Sequence, residues 1–384
     1  MSETIHTQKD NKATSARSEP TASEAIHAAK GDKSRPGPSK PTSTEPGIKN
    51  KPAFNFKNFL GLQNTQGKGL AVPIGIAAVV ATLALAGVSW YWSIEPAEFD
   101  VVELAAHEGN VKNAKELPLG FAYATTLIRI GHTLLTKNGG FLSNDVFPPS
   151  VFLDNIPNWE YGALIALRDA TTALRNHISR AQTQSREDPD LARAEPYFYF
   201  DHKSWQLPSS EAQYEKGIEA LEGYKEHILE REANFYARAD NLRQYLEVLE
   251  KRLGDLSNRL SASVGDTAPA MRIGLNEHRP AMRRTPWLEI DDIFFEARGY
   301  TWACMHVLKA IEFDFRDILG NKTALVSLQQ IIRELEDGQN RLLSPVILNG
   351  GGFGLFANYS LTLANYIARA NAATIDLRSL LQQG

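Results

Sequence analysis

Apolar and polar positions fall into three regimes along this chain. Residues 1–53 hold almost no large apolar side chains and are rich in Ser, Thr, Lys and Pro, as in SRPGPSKPTSTEPG. Such a segment cannot bury enough surface to offset the entropy of ordering it, so it reads as a disordered basic tail. Residues 69–94, GLAVPIGIAAVVATLALAGVSWYWSI, contain no Asp, Glu, Lys or Arg. At a rise of 1.5 Å per residue that run is long enough to cross roughly 30 Å of hydrocarbon, and it predicts a transmembrane helix. From residue 95 onward apolar residues recur near a 3.6 period, which predicts an all-α domain over 95–384.

Within that domain the pattern resolves into helices. Phe121, Ala124, Leu127, Ile128, Leu134 and Leu135 mark one, stopped at Gly139-Gly140, and Leu164, Leu167, Leu174 and Ile178 another from about Trp159. Ser210 and Gln213 form a capping box opening a third. Phe235, Ala239, Leu242, Leu246, Leu249, Leu253, Leu256 and Leu260 are spaced alternately by four and three, the seam of a coiled coil. The preceding helix is the expected partner, giving a long antiparallel helical hairpin; a homodimer is the alternative. Thr285-Pro286 opens a helix running to about Leu319, apolar on several sides and so expected at the centre of the bundle. Two further helices, at about 321–341 and 355–381, complete the domain. Residues 342–368 carry no charge, but their Ser, Asn, Thr and Gly content favours a core helix over a second span.

Charge adds orientation. The total is −4, yet up to Gly69 there are 11 Lys and Arg against 6 Asp and Glu, so the part after the apolar run carries −9. Lys49, Lys51, Lys57 and Lys68 precede the run and Glu95, Glu98, Asp100 and Glu103 follow it, which places the amino terminus in the cytoplasm. Ala84-Leu85-Ala86 has the small-x-small form of a cleavage site, but about 70 residues precede the run, so an uncleaved anchor is expected. Residues 54–68 interleave Phe54, Phe56 and Phe59 with Lys57 and Lys68, as either a headgroup-layer helix or a linker. An acidic outer domain argues against nucleic acid as a partner. A lone cysteine, Cys304, excludes an intrachain disulfide and sits where a small core residue belongs.

Candidate chemistry is sparse. The expected partners are the lipid bilayer and another envelope protein; no metal and no cofactor are expected. Gly350 to Gly354 lacks the Gly-Lys-Ser/Thr ending of a phosphate loop and reads as a close-packed turn. Glu289, Asp292 and Glu296 share a helix face, more simply a solvated one than a cation site. Ala71, Gly75, Ala78, Thr82 and Ser89 form a small-residue stripe on the span that could admit a second helix, so a homo-oligomer through the span or the hairpin stays open. Two irregular stretches, 143–162 and 185–208, hold the candidate site residues: Asp154, Trp159 and Glu160 in the first, Tyr197, Tyr199, Asp201 and Trp205 in the second. Aromatic platforms beside paired carboxylates are what a glycan-binding or glycan-hydrolysing cleft requires, provided the carboxylates face one opening about 5 to 10 Å apart. Ordinary loop packing, with the aromatics resting on the domain, produces the same residues.

The stretches SNDVFPPSVFLDNIPNWEYG, RAQTQSREDPDLARAEPYFYFDHKSWQLPSSE, FYARADNLRQYLEVLEKRLG and GLFANYSLTLANYIARANAATIDLRSLL resemble those of a bacterial family known only as domain of unknown function 2333. The resemblance runs from the anchor to the end of the chain, and the long tail departs from it. It implies an inner-membrane protein of Gram-negative type with its domain in the periplasm, and it brings no catalytic residues. The expected role is an interaction or scaffolding module of the cell envelope; the alternative is an envelope protein acting on glycan.

Overall fold

The computed structural model describes residues 71–181, 187–264, 284–341, 347–350 and 357–383. The expected tail (1–53), the juxtamembrane stretch (54–68) and most of the glycine run lie outside these. Among the described residues the chain forms helices and no strand. An apolar helix, α1 (Ala71–Trp92), is followed by α2 (Val101–Glu108), α3 (Phe121–Thr136) and α4 (Asn155–Ala173), the last extended by a π turn (Leu174–Ile178). Then come α5 (Pro189–Phe198), α6 (Ser210–Leu229) and α7 (Ala239–Ser261). The series ends with α8 (Ile290–Asp314), the short α9 (Arg316–Asn321), α10 (Leu325–Gly338) and α11 (Tyr359–Gln382).

As its apolar sequence predicts, α8 is central, with nearly every residue from Phe294 to Ile311 buried. Its main neighbour is α4, and the two run side by side in the same direction: Asn158 bonds Asp292 near their starts, and Gly162 meets the Glu296 backbone one turn on. The approach needs glycine on both sides. A Cβ at Gly162 would lie 1.9 Å from the Glu296 carbonyl oxygen, and one at Gly299 would lie 1.9 Å from that of Trp159.

The coiled-coil seam is real from Leu242 to Leu260, but its partner is not the expected one. Phe235 precedes the helix and packs on Tyr123 and Phe315. Leu242, Leu246, Leu249, Leu253, Leu256 and Leu260 are buried, chiefly against α11, more than 100 residues further along. That pair is antiparallel: Arg378 reaches Glu250, and the Ser257 hydroxyl donates to the Ala364 carbonyl at 3.1 Å. Helix α6 packs instead on α3 and α5, where Gly131 makes room for Ile218 and Gly217 for Phe198. A heptad specifies one apolar stripe without naming what covers it, and small residues drew α6 to the other side. The burial of Leu363, Ile367, Ala370 and Leu377 in α11 fits the core-helix reading of that segment.

In three places the local structure differs from what the sequence pattern predicts. Helix α5 lies inside the stretch expected to be irregular; Asp188 caps it through the amides of Asp190 and Leu191, with Pro189 in the first turn. The cap of α6 is Ser209, which accepts from the Ala212 amide, while Ser210 donates its buried hydroxyl to the Asp201 and Ser204 carbonyls. Trp287–Glu289 is a 3-10 turn, and α8 starts only at Ile290, without a side-chain cap.

Candidate functional site

Polar contacts gather at the junction where α1 meets the helical body. Helix α1 stands free, and no part of its apolar stretch is buried by the body. Its last turn does not. The Asn138 amide lies 3.5 Å from the Tyr91 carbonyl, and the Trp92 ring rests on Gly139, where any Cβ would come within 2.8 Å of it. Gly139 and Gly140 both hold positive φ, the left-handed turn that ends α3 and presents this flat seat.

Residues 93–100 then run along α8 under a series of constraints. Glu95 pairs with Arg298 through two bonds of 2.8 and 2.5 Å, and Arg298, itself buried, also donates to the Gly338 and Asn340 carbonyls. The Phe99 amide donates to His306 Nε2 at 3.1 Å, so the proton of this imidazole sits on Nδ1, which donates to the Trp302 carbonyl at 2.7 Å. Burial pushes His306 down to about 4, which keeps the ring neutral and able to accept. The Phe99 ring stacks on it with centroids 3.9 Å apart. Lys309 bridges Glu98 and Glu336, and Asp100 caps α2. Three of the acidic residues after the apolar helix, Glu95, Glu98 and Asp100, are thus also the fasteners of the junction.

The candidate carboxylates do not share a cleft. Glu160 is fully buried, paired with Lys137 Nζ at 2.6 Å, and accepts from the Leu142 amide, the Ser143 amide and the Ser143 hydroxyl. Burial pushes its carboxyl up, opposed by Lys137. Its place is structural: it ties the turn under Trp92 to the first turns of α4. Asp154 sits at the start of α4, bonding the Asn155 amide, and Asp201 closes a turn on the Lys203 amide. Each therefore serves its own backbone.

The aromatic candidates divide. Trp159 is buried against Trp302, ring centroids 5.1 Å apart. Tyr197 is half-buried with Lys216 over its ring, whereas Tyr199, under Arg168, and Trp205 are about half exposed. Of the aromatics in 143–162, expected to rest on the domain, Trp159 does, whereas Phe147 and Phe152 are 70% and 74% exposed. On the apolar helix, Ala71 opens α1, Gly75 has open space around it, and the Thr82 hydroxyl bonds the Ala78 carbonyl.

Of the acidic trio, Asp292 and Glu296 lie on α8 and are engaged, Asp292 accepting from Asn158 and Glu296 held by Arg259 through two bonds, whereas Glu289 is exposed in the 3-10 turn before the helix. Among the described residues no cluster of three or more His, Cys, Asp and Glu side chains could hold a metal. Cys304 is buried, and burial pushes its thiol up, as for an inert core residue. A shallow hollow of about 340 Å³ beside the junction is lined by Asp100, Lys309, Glu312, Arg316 and Glu336, whose opposite charges face one another. Sequence reasoning passed over Lys137, Arg298 and His306, because single charged or polar residues inside an apolar stretch announce a partner without identifying it.

Over residues 65–384 the chain matches the family described as an uncharacterised protein conserved in bacteria (DUF2333). No curated protein and no solved structure matches it.

Proposed function

Starting from the chain's membership of this bacterial family of domain of unknown function 2333, we propose that it is a single-pass inner-membrane protein whose helical body faces the periplasm and serves there as an interaction module of the cell envelope. The observation that carries the reading is the junction. A 21-residue apolar helix, Val72–Trp92, ends in Trp90, Tyr91 and Trp92, rings that favour the headgroup layer, and the body begins on the last of them. With Glu95, Phe99 and Asp100 each fastened, the body has no free tether. A body mounted this way holds its surfaces at one height and orientation above the bilayer, which suits a protein that positions something else. The separate engagement of Glu160, Asp154 and Asp201 favours this reading over the glycan alternative, which needs two carboxylates facing one opening.

Topology is the first test. An alkaline phosphatase fusion at residue 384 should be active and a green fluorescent fusion at the same place dark, with the phosphatase still membrane-bound after carbonate washing. A fusion active only in the cytosol would remove the envelope role, and a soluble, shortened product would turn α1 into a cleaved signal.

A further inference from the structure

The end of the body from which α1 emerges carries a group of exposed apolar side chains that the domain does not use. Phe147 and Phe152 are 70% and 74% exposed, Trp287 and Leu288 both 75%, Trp205 50%, and Leu207 wholly exposed. They sit on three loops that hydrogen bonds place side by side. The seat of Trp92 at Gly139 continues into Leu142 and Ser143; the Ser143 hydroxyl donates to the Pro157 carbonyl, and Asn144 donates to the Ser204 carbonyl at 2.8 Å. Asn158 in turn bonds Asp292, just after Trp287 and Leu288. The three loops are therefore tied to one another, and the first of them continues from the seat of Trp92 at the foot of α1.

From this placement we infer that these three loops dip into the headgroup layer of the same bilayer that α1 crosses, so that the body lies on the membrane instead of standing clear of it. The inference rests on the anchor reading above. Its reason is reach: the span's own interfacial ring, Trp92, is already in contact with the body, so neighbouring loops are held at interfacial depth. Exposed aromatic and aliphatic side chains gain there what water denies them. Charge does not supply the attraction, because Asp145, Asp154, Glu289, Asp291 and Asp292 lie on the same loops and helix starts beside Lys203 and Arg284. Burial and the neighbouring acids push Asp292 up to about 6, so lowering the pH lessens the repulsion from anionic lipid.

The test uses full-length protein reconstituted in phosphatidylcholine vesicles containing one-quarter phosphatidylglycerol. Single cysteines at Phe152, Leu207, Leu83 in the span and Ile375 on the remote half of α11 are labelled with an environment-sensitive fluorophore, Cys304 being buried and unreactive. Lipids brominated near the headgroup should quench the labels at 152 and 207 at least about twofold more than that at 375, in low and high salt alike. If the label at 83 is quenched by deeply brominated lipid while 152 and 207 behave like 375, the loops stand in water and the inference fails with the anchor intact. If 83 is not quenched either, the anchor itself fails and the inference with it. Shielding of 152 and 207 from iodide without quenching by lipid would assign the surface to a second copy of the chain and overturn the inference.

Discussion

Lys137 and Glu160 form an ion pair of 2.6 Å in which neither side chain is accessible to solvent. Lys137 ends α3 and also donates to the Gly140 carbonyl, while Glu160 lies in the second turn of α4 and collects the amides of Leu142 and Ser143. Removing one partner leaves the other charge buried without compensation, which typically costs about 3–5 kcal/mol. Glu160→Ala and Lys137→Ala are each expected to lower the urea midpoint of full-length protein in detergent by that order. Replacing both with apolar residues of similar volume, as in K137M/E160L, should recover part of the loss, the remainder reflecting the Leu142 and Ser143 amides left unpaired. A catalytic Glu160 would show little such recovery and little initial cost.

Gly162→Ala and Gly299→Ala should each destabilise the bundle by about 1–3 kcal/mol or more, since both clash with backbone and not with a yielding side chain. Gly75→Ala, on the exposed helix with open space around it, is the control and should leave the thermal midpoint unchanged.

Asp314 is buried and accepts from the Gly120 amide at 3.0 Å and the Tyr123 amide at 2.8 Å. Burial outweighs those bonds and pushes its carboxyl up to about 7. Because the folded value lies above the unfolded one, near 3.8, the unfolded state releases this proton first as pH rises. Its contribution to stability is thus complete below about 3.8 and lost progressively as pH climbs through about 7. Denaturation midpoints between pH 5 and 8 should fall along that course, and Asp314→Asn should flatten the slope. A slope unchanged in the variant would assign the pH dependence to another group.

Arg298 holds residues 93–100 to α8 through Glu95 and to the end of α10 through two carbonyls. Arg298→Met is expected to raise amide hydrogen exchange across 93–100 by at least about tenfold, while the amides of α7 and α11 stay protected. Glu95→Gln should give a smaller rise, because Arg298 keeps its carbonyl partners. Uniform loss of protection throughout the body would mean that the junction and the bundle unfold as one unit.

By itself the sequence determined the features that depend on a residue and its near neighbours. The uncharged run at 69–94 dictated an apolar helix, the alternating four and three spacing from Leu242 to Leu260 dictated a buried stripe, and the apolar surround of residues 293–311 put that helix at the centre. Tertiary structure alone decided who faces whom. Pairing α7 with α11 depends on contacts between residues over 100 apart, such as Ser257 with Ala364. It also decided that Glu160 belongs to Lys137 and not to a cleft, because desolvation leaves a buried carboxylate little choice but the nearest cation and amides. The same holds for Glu95: its charge could be read as an orientation signal from the chain, but its place against Arg298 follows only once α8 passes the foot of the apolar helix.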